Sequence, residues 1–150
     1  MKDSFVQLAF SLLALCLGGA AEDLMPKVLG VGFPVLLAAC AYFAGRGTAL
    51  NAMLFAIVAG AFEDALSGLA PALSISFFLG SALVVRSGVL GHLATWLVLP
   101  AYELWLWIWM PQLDGSVFAR LVMAFPLGAL ALVATGTVLA WAERRAGADA

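Results

Sequence analysis

The chain is poor in the residues that hold metals and carry out chemistry. Its single histidine, His92, has no His, Cys or carboxylate at i+3 or i+4 to complete a ligand set, so neither a metal nor another cofactor is expected. The two cysteines, Cys16 and Cys40, lie in apolar runs without CxxC or Cys/His spacing. That excludes a thiolate metal site or redox pair and leaves them as small packing residues. No GxSxG, HExxH, Walker loop or GxGxxG occurs, and the adjacent carboxylates Glu63 and Asp64 diverge on a helix, so catalysis is not expected. Charge is scarce as well. Only 11% of the 150 residues are charged, the net charge is -2, and the seven Lys and Arg are scattered, with Arg144-Arg145 the one adjacent pair. Nucleic acid needs a dense basic face and is excluded as a partner.

What remains is apolar. Hydrophobic residues make up 65% of the chain and the mean hydropathy is +1.08. A water-soluble domain has no interior large enough to hide that excess, whereas lipid accepts it, so membrane lipid is the first partner the composition implies. Hydrocarbon about 30 Å thick needs about 20 apolar helical residues per crossing. Six such segments lie between charges and Pro/Gly breaks, at 5–21, 28–45, 48–66, 72–85, 89–110 and 117–141. The expectation is a single polytopic membrane domain over residues 1–150, an all-α bundle of six transmembrane helices. Between the third and fourth segments a Ser-Gly-Leu-Ala-Pro turn predicts a tight hairpin.

Cytoplasmic loops collect Lys and Arg, which tests the direction. With six spans and a cytoplasmic N-terminus, Lys2, Arg46, Arg86, Arg144 and Arg145 fall inside, while Lys27 beside Glu22-Asp23, Asp114 and Arg120 fall on the far side. Both termini are then cytoplasmic. Trp105, Trp107 and Trp109 crowd the outer end of the fifth span, with Tyr42 and Trp141 at the inner face, as interfacial aromatics do. No basic residue interleaves the Trp run, so a base-stacking platform is disfavoured. Lys2, the apolar stretch from Phe5 and Gly19-Ala20-Ala21 also fit a cleavable signal peptide. Cleavage would leave five spans, and the charge balance favours a retained first helix.

The densest polar cluster is Gly60-Ala61-Phe62-Glu63-Asp64-Ala65-Leu66-Ser67-Gly68. Steps of four place Ala52, Ala56, Gly60, Asp64 and Gly68 on one face of the third helix, where small side chains admit a neighbouring helix. Asp64 is expected to point into protein, and Glu63, turned about 100° away, toward water or another subunit. Glu103 in the fifth helix and Arg120 opening the sixth lie on the same outer side. A pair between Arg120 and Glu103, Glu63 or Asp64 would cancel charge where the dielectric is low. Headgroup contact and helix capping are the plainer reading of these groups. A proton relay needs a continuous polar path, and the inner halves offer little beyond Asn51 and Gln7.

These features resemble the MreD family, the membrane subunit of the bacterial rod-shape or elongation complex. The resemblance runs from Met25-Pro26 through the Arg46 loop to Arg86, and in length and span pattern to the end. In that family a proline opens the second helix, a short basic loop follows, and the third helix carries Gly-Leu-x-x-Asp-x-x-x-Gly. Here Pro26, Arg46 and Gly60 to Gly68 occupy those places, with Lys27 where aspartate is common, Ala56 and Ala72 where glycine is common, and Ala61 for the leucine. The resemblance implies a fold similar to the S-components of energy-coupling-factor transporters, used in the bacterial cytoplasmic (inner) membrane as an assembly platform. It implies an MreC-like partner, with MreB, RodA and a class B penicillin-binding protein in the wider complex for side-wall peptidoglycan synthesis.

Two other classes stay open. An S-component-like solute-binding subunit of a vitamin or small-molecule uptake transporter would share the architecture and add an outward polar pocket, with Glu63, Asp64, Glu103, Trp105 and Arg120 as lining candidates. A channel would need a continuous polar stripe along one helix, which the sequence lacks.

Overall fold

The computed structural model describes residues 2–24, 31–90, 92–109 and 117–148. They form six helices: α1 (Lys2–Leu24), α2 (Val35–Arg46), α3 (Ala49–Ser67), α4 (Leu73–Ser87), α5 (His92–Trp109) and α6 (Val117–Ala148). Each apolar segment of the sequence holds one of them. The expectations that rest on Pro26, Lys27 and Asp114 fall outside the described residues.

α2 departs furthest from its expected bounds, starting at Val35 rather than at 28. Pro34 is the physical reason. It disfavours helical geometry at Phe33, so the chain before it stays irregular and Pro34 stands at the N-cap of α2. The remaining 12 residues rise only about 18 Å. Among the described residues only α3 (Ala49–Ser67) and the Phe118–Arg145 stretch of α6 are long and apolar enough to cross a bilayer by that criterion alone, while α2 and α4 are shorter apolar helices.

α3 is delimited by local chemistry. The Thr48 hydroxyl accepts the Asn51 N–H at 3.3 Å, and the chain leaves the helix through Gly68 at φ 62°, whose N–H donates to the Asp64 carbonyl. Leu69 N–H donates to the same carbonyl at 3.1 Å, which satisfies the last turn in the manner of a Schellman cap. Gly68 therefore lies beyond the helix and is exposed, so it drops out of the small-residue packing stripe. The other four members, Ala52, Ala56, Gly60 and Asp64, are buried along one face.

Successive helices alternate in direction. At one end Glu22 of α1 reaches the start of α2, Asp64 of α3 the start of α4, and Glu103 near the close of α5 meets Arg120 at the opening of α6. At the other end Arg86 of α4 donates to the Gly47 carbonyl at 2.7 Å, and Tyr42 and Arg46 of α2 meet Glu143 of α6. The first end is acidic and the second basic. α1 begins and α6 finishes at the basic one. α2 occupies the centre, touching all five other helices, and Leu36 to Ala41, Phe43 and Ala44 are buried. Phe10, Phe43 and Phe55 fill the core toward the basic end, and Phe77, Phe78, Tyr102 and Trp105 fill it toward the acidic end. Outward faces stay apolar, as with Leu13 and Leu17 on α1, Leu54 and Val58 on α3, and Leu130 and Val133 on α6.

Candidate functional site at the acidic end

Gly60 brings α3 and α4 together. A Cβ built there would stand 2.5 Å from the Ile75 Cα and 2.7 Å from its nitrogen, so only glycine permits this backbone approach. One turn further on, the Asp64 carboxylate accepts the Ser74 N–H at 2.8 Å. Ser74 is the second residue of α4, one of the helix-start amides that have no partner within their own helix. Asp64 thus caps the neighbouring helix, where the positive end of the helix dipole also favours an anion. Its other oxygen, Oδ2, is buried with no hydrogen-bond partner among the described residues.

The same device occurs one pair earlier. Gly18 of α1 lies against α2, its built Cβ 3.0 Å from Leu36 Cδ2, and four residues on, Glu22 Oε1 accepts the Leu36 N–H at 2.7 Å. Leu36 is likewise the second residue of its helix. A glycine that admits the next helix, followed at i+4 by a carboxylate that caps it, therefore joins α1 to α2 and α3 to α4. In the sequence alone Glu22 stands only as a loop charge beside Asp23. The shared Gly-x-x-x-acid spacing of Gly18/Glu22 and Gly60/Asp64 was the signal that could have found it.

Glu63 points away from the Asp64 cap. It is half-buried and accepts the Ser67 hydroxyl at 2.9 Å. Arg120 pairs with Glu103 among the three carboxylates considered. Its Nε and Nη2 both stand 3.1 Å from Glu103 Oε2, with the two side chains 14% and 8% exposed. Ser74 and Tyr102 share a buried hydroxyl hydrogen bond of 2.7 Å, and the Trp105 indole N–H donates to the Leu73 carbonyl at 3.1 Å. These two contacts dock α5 on the start of α4, and neither was anticipated.

Between these groups lies a cavity of about 400 Å³. Its polar lining includes Glu22, Asp23, Glu63, Glu103, Arg120 and Tyr102, and Leu37, Phe78, Leu99 and Leu106 supply apolar wall. Gly32, Phe33 and Pro34, the irregular stretch before α2, form part of it. Of the five residues considered for a solute pocket, Glu63, Glu103 and Arg120 line the cavity, whereas Asp64 and Trp105 do not. No group of three His, Cys, Asp or Glu side chains arranged to hold a metal ion occurs among the described residues.

Cys40 is buried with its thiol 3.8 Å from the Phe78 carbonyl, Cys16 is exposed, and both are free. His92 opens α5 on the surface. Comparisons with protein-family models, curated proteins and solved structures give no match.

Proposed function

We propose that the chain is a non-enzymatic, six-span scaffold of the bacterial cytoplasmic membrane, of the MreD kind, that receives partner helices on its outer faces and supports side-wall peptidoglycan synthesis. The observation that carries this reading is the use made of the Gly60 to Gly68 stretch, on which the family resemblance rests. Its glycine and aspartate are spent on joining α3 to α4, which is what an assembly platform requires and a catalytic site does not. Separation of charge supports the orientation. Arg46, Arg86, Arg144 and Arg145 gather at the end where α1 also begins with Lys2, and the carboxylates Glu22, Glu63, Asp64 and Glu103 gather at the other. Under the positive-inside rule the basic end is cytoplasmic. α2 and α4, too short to span alone, reach full depth when their acidic-end amides are satisfied by Glu22 and Asp64 and the irregular backbone borders the cavity. The partners on this reading are an MreC-like protein, with MreB, RodA and a class B penicillin-binding protein in the wider complex.

The test is co-purification in mild detergent with the products of neighbouring genes. An MreC-like protein should be retained by the wild-type chain and by Glu63→Gln, and lost or sharply reduced with Asp64→Leu. Equal retention by both variants would remove the place given to Asp64, and recovery of an ATPase with a coupling protein would replace the scaffold by the solute-binding subunit. The cavity is the observation that favours this second reading.

A further inference from the structure

α6 packs mainly against α2 and α5, and its outward face carries Leu130, Ala134, Thr137, Val138 and Trp141, all exposed, before it ends in the exposed Arg145. Steps of three and four residues join them into one stripe. The Thr137 hydroxyl donates to the Val133 and Ala134 carbonyls of its own helix at 2.8 Å each, so the stripe below Arg145 presents no unsatisfied polar side chain. The apolar stretch from Phe118 to Arg145 has 28 residues and rises about 42 Å, matching a bilayer with both headgroup layers, about 40 to 45 Å. Arg145 therefore stands at headgroup depth, with Trp141 about 6 Å below it at the edge of the hydrocarbon. The Arg145 Cζ lies 4.9 Å from the centroid of the Trp141 ring, a stacking that orients the guanidinium and leaves its N–H donors for another group. Arg144 is exposed beside it. The neighbouring carboxylate, Glu143, is turned about 200° around the helix from Arg145, where it accepts the Tyr42 hydroxyl at 2.8 Å and pairs with Arg46 at 3.7 Å. The acid is engaged on the inner side, and the outer side favours an anion.

We propose that the outer face of α6 binds one anionic phospholipid, with its phosphate on Arg145 and an acyl chain along the stripe from Trp141 to Leu130. A guanidinium can give a phosphate two parallel N–H bonds, and basic residues at the end of a membrane helix draw anionic headgroups. The apolar part fits as well. From Leu130 to Trp141 the helix rises about 17 Å, close to one leaflet's share of the hydrocarbon, about 15 Å. Free phosphate would use the arginine and leave the stripe uncovered, so the lipid is the occupant that satisfies both halves. The inference rests on the reading of α6 as a membrane span and is independent of the scaffold role, since lipid retention and partner co-purification are read separately and either can fail alone.

The test uses the full chain, delipidated in detergent and titrated with dioleoylphosphatidylglycerol or, in parallel, dioleoylphosphatidylcholine, with bound lipid counted by native mass spectrometry. Phosphatidylglycerol should be retained saturably and raise the melting temperature, and phosphatidylcholine should bind at least about fivefold more weakly. Arg145→Gln should weaken phosphatidylglycerol about fivefold, the effect of losing roughly 1 kcal/mol at one basic residue, and erase most of the preference between the two lipids. Trp141→Ala should weaken it too, whereas Arg145→Lys, which keeps the charge, should retain most of it. Both positions are exposed, so these variants are expected to fold, and circular dichroism checks that they do. Arg86→Gln at the end of α4 should bind like the wild type, and inorganic phosphate at about 10 mM should not displace the lipid. Equal retention of the two lipids, unchanged binding in Arg145→Gln and Trp141→Ala, displacement by phosphate, or an equal loss in Arg86→Gln and Arg145→Gln, which would mean a diffuse field without a site, would each overturn the proposal.

Discussion

Ala72 holds φ 71° at the start of α4, a left-handed conformation it adopts without a side-chain cap. For a residue with a Cβ that geometry costs about 1 to 2 kcal/mol, and glycine is free of it. The hairpin tolerates the strain because its other bonds are fixed: Asp64 holds the Ser74 amide, Gly68 turns the chain, and Trp105 takes the Leu73 carbonyl. Ala72→Gly is expected to stabilise the chain by about 1 kcal/mol, read as a higher melting temperature in detergent; a lower one would contradict the strain. Arg120 and Glu103 supply a second residue-scale expectation. The pair is nearly buried, so Arg120→Met alone should cost about 3 kcal/mol by leaving Glu103 unpaired, whereas Arg120→Met with Glu103→Gln should recover much of the loss. The same melting experiment checks it, with an additive double variant as the contrary result. By contrast, the exposed Arg46 and Glu143 pair at 3.7 Å contributes little, and its value lies in where it ties α2 to α6.

At the scale of elements, the contact of α3 with α4 turns on Gly60. Gly60→Ala should destabilise by about 1 to 3 kcal/mol, since the new methyl meets backbone that cannot rotate aside. Gly80→Ala, also on a helix but with open space around its Cβ, should be neutral or stabilising by up to about 1 kcal/mol. Chemical denaturation of the two variants side by side separates close packing from helix propensity, and equal effects would refute the close approach. This face was legible because steps of four residues from Ala52 to Asp64 follow from the helical period alone. The start of α2 was hidden in the hydropathy, because Val31, Gly32 and Phe33 are apolar whether helical or not, and only Pro34 marked the break. Glu22 was missed for a related reason. Its role is to cap a helix that begins 13 residues later, and the Gly18-x-x-x-Glu22 spacing that marks it becomes legible only beside Gly60-x-x-x-Asp64.

For the whole molecule, charge placement at the two ends follows from counting arginines along the sequence, whereas the cavity does not. Glu22, Glu63, Glu103 and Arg120 come from four different helices, and their convergence is a product of tertiary packing around the central α2. A linear reading finds the acids and cannot see that they border one cavity. The same packing leaves the outer faces of α1, α3 and α6 apolar, which suits lipid or a partner helix and leaves polar chemistry at the acidic end. The account depends on that end facing away from the cytoplasm, with an even number of crossings between. Cysteine labelling in intact cells tests this most directly, using a chain whose Cys16 and Cys40 are replaced by alanine and a membrane-impermeant maleimide. Ala70→Cys in the α3–α4 turn should react without cell lysis, and Ser87→Cys beside Arg86 should react only after lysis. A Ser87→Cys chain labelled in intact cells, or an Ala70→Cys chain protected in them, would contradict it.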